Sequence, residues 1–249
     1  LDLLNAVTLK PKIVALDIGC GLGFPLIELA LRLGNSGKVF GLDPWARAIE
    51  RIHLKIKVLN IKNVEVIHGV AEKMPFEDSY FDLLVSNNGI NNVEDLKRSL
   101  SECSRVSKPG AQFVITFNLE NTMSEFYDVF EETLKENNLL DEINKMKAQI
   151  YSKRKPLDEV ESLLKEAGFR IGNIEQKSFK WDFLDGATMF NHYLIKYWFL
   201  DGWKKILKDE DLERIFDPVE KKINKIAEQK GCFSLTIPYV TMVCYKSGF

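Results

Sequence analysis

The run Val14-Ala15-Leu16-Asp17, leading into Gly19-Cys20-Gly21-Leu22-Gly23, constrains the fold of this chain more than any other feature. A short apolar run that stops at an acid and enters alternating glycines reads as a buried strand followed by a tight turn. Pro25 suits the first turn of a helix, and Leu26, Leu29, Ala30 and Leu33 recur at helical spacing up to Gly34. An extended segment, Lys38–Leu42, then ends at Asp43-Pro44, and a second helix runs through Ile49, Ile52, Ile56 and Leu59.

The alternation repeats. Val64–Ile67 and Phe81–Ser86 read as strands, and Glu94–Val106 as a helix with Leu96, Leu100 and Cys103 on one face. Lys108-Pro109-Gly110 reads as a turn and Phe113–Phe117 as a strand. Strands and helices alternating at this pitch predict an α/β fold, with βαβ units, a parallel sheet and helices on both faces. Two later stretches break the rhythm. Residues 121–150 read as one or two helices with Phe126, Val129, Phe130 and Leu134 as an apolar stripe, and Leu157–Ala167 as a helix capped by Gly168. A strand follows near Ile171–Trp181, then helices over 186–230 and a last strand at Tyr239–Tyr245. The expected organisation is a single domain, 1–249, in which 121–150 and 186–230 are helical insertions that cap the substrate side.

At 249 residues, with 45% hydrophobic and 11% aromatic residues, the chain can build a substantial core, which excludes global disorder. Its 34 Lys+Arg against 36 Asp+Glu leave a net charge of −2, so no basic excess recruits nucleic acid. Cys20, Cys103, Cys232 and Cys244 show neither CxxC nor His-linked spacing. No metal site is expected, and the reading is four reduced thiols in a cytoplasmic protein. The longest uncharged stretch, Gly231–Tyr245, contains Pro238 and is too short to span a bilayer. No segment reads as a signal peptide, and the sequence opens at Leu1 rather than Met, which leaves room for residues upstream. Nothing in the pattern sets an oligomeric state.

A glycine turn between strand and helix lets backbone N–H groups approach a ligand near the positive end of the helix. Here the pattern is G-x-G-x-G, and the dinucleotide fingerprint G-x-G-x-x-G would need glycine where Phe24 stands. That weighs against an NAD pyrophosphate. Asp43, at the end of the next strand, suits either the diol of a ribose or the cap of the following helix. Asp17 is open between ordering the loop and touching a ligand.

LDIGCGLG (Leu16–Gly23), GLDP (Gly41–Pro44), AEKMPF (Ala71–Phe76), FDLLVSN (Phe81–Asn87) and SKPGAQFVIT (Ser107–Thr116) together resemble the class I S-adenosylmethionine-dependent methyltransferases. The subgroup most resembled includes the ubiquinone/menaquinone-biosynthesis and malonyl-carrier-protein methyltransferases, and the likeness covers about residues 10–120. It implies a Rossmann-like, doubly wound seven-stranded sheet, mostly parallel with an antiparallel last strand. It also implies S-adenosyl-L-methionine as cofactor and S-adenosyl-L-homocysteine as product. Carried over by position, Gly19, Gly21 and Gly23, with Cys20 between them, would form the loop against the methionine part, with Asp17 near its amino group. Asp43 would take the ribose hydroxyls, and Pro44 or Trp45 would lie against the adenine. Ala71 would offer backbone contact to the adenine edge, with Glu72 beside it. Asn87 and Asn88 would lie under the methionine moiety and the reactive methyl. Val70 stands where many relatives carry an Asp.

A sulfonium methyl is already electrophilic, so such an enzyme works mainly by proximity and orientation, and needs a base only when the acceptor must lose a proton. No catalytic motif stands out. Within Phe190–Trp198, His192 could serve as a base and Tyr193 as a hydrogen-bond donor, with Phe190, Tyr197 and Trp198 as pocket walls. The competing reading is an aromatic stripe that packs the cap onto the sheet. Lys153-Arg154-Lys155 reads as solvated surface rather than an anion site. Ser86-Asn87-Asn88-Gly89 lacks the Pro-Pro-aromatic signature of exocyclic-amine base methylation. The expected function is methyl transfer to a small molecule. The alternatives are an NAD-dependent oxidoreductase or a non-catalytic cofactor-binding protein on the same fold.

Overall fold

The computed structural model describes residues 1–248. In chain order the elements are α1 (Asp2–Ala6), β1 (Val14–Ile18), α2 (Leu26–Leu33), β2 (Lys38–Asp43), α3 (Ala46–Val58), β3 (Val64–His68), β4 (Phe81–Asn87), α4 (Leu96–Val106) and β5 (Ser107–Asn118). They continue as α5 (Ser124–Glu136), α6 (Leu140–Lys153), α7 (Leu157–Glu166), β6 (Phe169–Phe183), α8 (Gly186–Asn191), α9 (Leu200–Lys204), α10 (Leu212–Lys230) and β7 (Phe233–Lys246). A short π-helical segment, Ile195–Phe199, precedes α9. The strands form a seven-stranded sheet of order β3-β2-β1-β4-β5-β7-β6. Strands β1 to β5 pair in parallel, and β7 runs antiparallel to β5.

The chain divides into two compact units. The first comprises residues 1–118, 156–176 and those from 239 onward; the second comprises 119–155 and 177–238.

In the first unit, four of the five residues of β1 are buried, as expected of a central parallel strand covered on both faces. Leu26, Leu29, Ala30 and Leu33 of α2 pack with Ala15, Val39, Ile52, Leu83 and Val85 in one apolar cluster. The helical stripe read from the sequence is therefore the face that covers the sheet. Pro25 stands one residue before α2, and Gly34 ends it at φ +52°. Gly168 follows α7 at φ +85°. One expectation is corrected. Lys108-Pro109-Gly110 is not a turn between elements but lies inside β5. Phe81 pairs with Ser107 and Leu83 with Gln112, so residues 108–111 bulge opposite Asp82. A bulge tolerates Pro109, which has no N–H to give a ladder, and Gly110 takes φ +76°. Lys108 Nζ fastens the bulge to Asp82 Oδ1 at 2.8 Å.

The second unit has its own core. Phe126, Phe130, Trp203, Ile215, Val219, Ile223, Leu235 and Ile237 are buried together. The Trp203 ring stacks on Phe126 with centroids 3.8 Å apart, and its Nε1 donates to the Tyr127 hydroxyl at 3.0 Å. Asp185 caps α8 through a capping box with Thr188.

Candidate functional site

The order of the sheet locates a crevice before any side chain is considered. The chain builds outward from β1 to β2 and β3, then returns to place β4 on the other side of β1. Open α/β sheets bind ligands at such a reversal, beyond the carboxyl ends of the strands. Here those ends are Ile18 and Asn87.

The loop after β1 is glycine-rich because its backbone demands it. Gly19, Gly21 and Gly23 all take positive φ, at +71°, +49° and +98°. Gly19 also approaches the loop after β4 backbone to backbone: a methyl on it would lie 2.7 Å from the Gly89 Cα. A methyl on Gly89 would collide with the Ile18 carbonyl oxygen. Ser86, fully buried, ties the same junction. Its Oγ donates to the Ile18 carbonyl at 2.8 Å and accepts from the Ile90 N–H at 3.1 Å. Ser86 and Gly89 were not singled out in the sequence as site residues. A glycine just past the end of a strand is the signal that marks such close approach.

Two acids stand here. Asp43 Oδ2 accepts from the Gly21 N–H and Oδ1 from the Trp45 N–H, each at 2.8 Å. The carboxylate thus holds the glycine loop and the turn at Trp45 that leads into α3, and each oxygen keeps a lone pair for a further donor. Asp17 is wholly buried, and apart from the Leu26 backbone N–H, which falls short of full hydrogen-bond geometry, neither of its oxygens has a partner. Burial pushes its pKa up to about 8, opposed by the backbone N–H of Leu26 and reinforced by the charge of Asp43.

The remaining sequence-predicted residues divide. Cys20 is buried, its Sγ lodged in the space left by the missing side chain of Gly41, and burial pushes its thiol up. Its side chain is packing. His68 Nε2 donates to the Pro44 carbonyl at 2.8 Å, which fixes the backbone that presents Trp45. Ala71 is buried, whereas Glu72 turns to the segment before α4, where its Oε1 accepts from Glu94 and Asp95 N–H. Asn87 Oδ1 accepts from Thr116 Oγ1 at 2.6 Å. Asn88, at φ +56°, accepts from the Asn118 N–H at 3.1 Å. The two asparagines therefore cap the ends of β4 and β5 beside Gly89.

In the second unit, His192 lies against Trp181, Phe183 and Tyr193, and its Nδ1 is buried without a partner. Tyr193, Tyr197 and Trp198 are exposed, and Phe190 packs on the helical core. The reading of Lys153-Arg154-Lys155 as solvated surface is corrected at its centre, because Arg154 is buried. No helix among the described residues is long and apolar enough to cross a membrane.

A doubly wound sheet with a glycine cradle at its reversal point and an acid ending the second strand defines an α/β domain with a ligand crevice of the kind open sheets carry there. Comparison with known proteins takes the assignment further. A family model described as a methyltransferase domain matches residues 9–231, and the chain belongs to that family. A demethylmenaquinone methyltransferase of Bacillus mycoides is 36% identical over 125 residues, 50% of this chain and 53% of that protein. The chain spans about half the length of the curated relatives it matches. Among solved structures, the YcgJ protein of Bacillus subtilis superposes with a TM-score of 0.65 at 17% identity, covering 100% of this chain and 97% of the other. A SAM-dependent methyltransferase from Aquifex aeolicus gives 0.52 at 24% identity, covering 70% and 80%. These two likenesses concern the fold.

Proposed function

We propose that this protein transfers the methyl group of S-adenosyl-L-methionine to a small-molecule acceptor, leaving S-adenosyl-L-homocysteine. The observation that carries the reading is the acidic character of the crevice: Asp17, unpaired and buried, lies close enough to Asp43 to feel its charge. The Asp43 carboxylate would repel a pyrophosphate there, whereas a ligand with a cationic amino group would favour the ionised form of Asp17, which burial otherwise keeps protonated. This, with the methyltransferase family, favours methyl transfer over the NAD-dependent alternative.

The residues fit such a cofactor. The cradle at Gly19 and Gly21 has no Cβ to obstruct it, Asp17 is assigned to the amino group, and the free lone pairs of Asp43 suit the ribose hydroxyls. Trp45, Pro44 and Ala71 are assigned to the adenine, and Asn87 and Asn88 to the floor under the methionine part. Glu72 serves the backbone beside Ala71 rather than the ligand directly. When bound, the cofactor supplies a methyl on a sulfonium. The chain's part is to hold that group and the acceptor in line and to exclude water. No general base is assigned. His192 and Tyr193 stay as candidates for handling an acceptor proton.

The acceptor side is assigned to the insertions at 121–150 and 186–230, which carry His192 and Tyr193 and build an apolar core of their own. A small acceptor and a cytoplasmic setting agree with the near-neutral charge and the unbridged cysteines. The test is transfer of labelled methyl from S-adenosyl-L-methionine to fractions of a small-molecule extract. Label in at least one fraction is expected. Cofactor binding with no labelled fraction would leave a non-catalytic binder.

A further inference from the structure

Arg154 follows directly on α6 and is 6% exposed, within the second unit. Its guanidinium carbon lies 5.7 Å over the Tyr127 ring and 6.0 Å over the Phe199 ring. Its side chain makes one long hydrogen bond, from Nη1 to the Tyr127 hydroxyl at 3.4 Å, and no carboxylate among the described residues pairs with it. Such isolation is unusual. A buried cation normally has a counter-charge, because ring faces recover only part of the cost of taking it out of water.

Tyr127 compounds the imbalance. Its oxygen accepts from both Arg154 Nη1 and Trp203 Nε1, so its own proton is left to donate, and no protein acceptor among the described residues takes it. The cluster gathers guanidinium, indole and phenol donors around a single acceptor atom. What it lacks is an anion.

We propose that Arg154 and the Tyr127 hydroxyl bind the carboxylate of an organic acid, so that the second unit recognises an acidic acceptor. One guanidinium balances one negative charge and forks onto two carboxylate oxygens, which suits a monoanion better than a phosphate dianion. The flanking faces of Tyr127 and Phe199 suit a ligand with an aromatic or unsaturated body. Calling that ligand the acceptor rests on the methyl-transfer reading; the anion site itself does not.

The experiment uses the full chain and three probes: benzoate, its uncharged analogue benzamide, and inorganic phosphate, with dissociation constants from ligand-observed NMR. Benzoate is expected to bind saturably, at least tenfold more tightly than benzamide and more tightly than phosphate. Arg154→Gln should weaken benzoate at least tenfold while leaving benzamide unchanged. Tyr127→Phe, which keeps the ring, should weaken benzoate severalfold. Equal affinity for benzoate and benzamide, a preference for phosphate, or benzoate binding untouched by both variants would overturn the proposal. The probe comparison on the unaltered chain decides even if Arg154→Gln fails to fold. A parallel titration of S-adenosyl-L-methionine separates the two readings. Benzoate discrimination without cofactor binding sinks the methyl-transfer reading alone, and cofactor binding without benzoate discrimination sinks the anion site alone.

Discussion

Asp17 is the residue at which stability and the proposed cofactor contact pull in opposite directions. Its pKa, raised by burial from 3.8 to about 8, means the folded chain keeps a proton that the unfolded chain releases. Stability from this group is therefore full below about pH 4 and falls as pH rises towards 8, where it levels off. Asp17→Asn should flatten that slope: its Tm should exceed that of the unaltered chain at pH 8 and approach it at pH 5. An unchanged slope would show that Asp17 is not the buried acid responsible. The same substitution should weaken S-adenosyl-L-methionine binding, since the amide cannot pair with a cation. Gly89 makes a second residue-scale case. Gly89→Ala has no room at the Ile18 carbonyl, so a loss of about 1–3 kcal/mol is expected in denaturant unfolding. Of these two, Asp17 was legible from the motif as either loop-ordering or ligand-touching, and what the motif did not show is its complete burial. Gly89 was not, because close approach between two loops is set by the register of β1 on β4. Arg154 escaped for a related reason: three consecutive cations look solvated until α5 and the segment before α9 fold over the middle one.

Among the elements, β1, its loop and α2 were readable in full, because apolar run, glycine turn and helical stripe each follow from local geometry. The junction of β1 with β4 depends on Ser86, whose hydroxyl satisfies a carbonyl on one strand's end and an N–H after the other. Ser86→Ala leaves both buried groups unpaired, a cost of about 1–3 kcal/mol. Calorimetric unfolding should register it, together with weaker cofactor binding; a neutral effect would remove Ser86 from the account. The bulge in β5 was misread because Lys-Pro-Gly has turn chemistry, and only the pairing of Phe81 with Ser107 shows that the strand has already begun. In the second unit, the stripe Phe126, Val129, Phe130 and Leu134 announced a buried face, but not its partner. Trp203, stacked on Phe126 and bonded to Tyr127, supplies it. Trp203→Ala should cost about 3–5 kcal/mol.

For the molecule as a whole, the first 120 residues hold nearly all that was legible of function, since the cofactor motifs are short and contiguous in sequence. The proposed acceptor site is not, because the residues assigned to it stand on separated elements that only packing brings together. His192→Ala and Tyr193→Ala should therefore lower kcat/KM for the acceptor while leaving the Kd of S-adenosyl-L-methionine unchanged; an equal loss in both would return these residues to a structural role. The central claim is that the crevice at the β1–β4 reversal holds a cationic adenosyl cofactor rather than a dinucleotide. Isothermal titration of the full chain with S-adenosyl-L-methionine, S-adenosyl-L-homocysteine and NAD tests it most directly. The account predicts saturable binding of the first two, weakened by about 1–3 kcal/mol in Asp43→Asn, and none of NAD. Binding of NAD alone would contradict it.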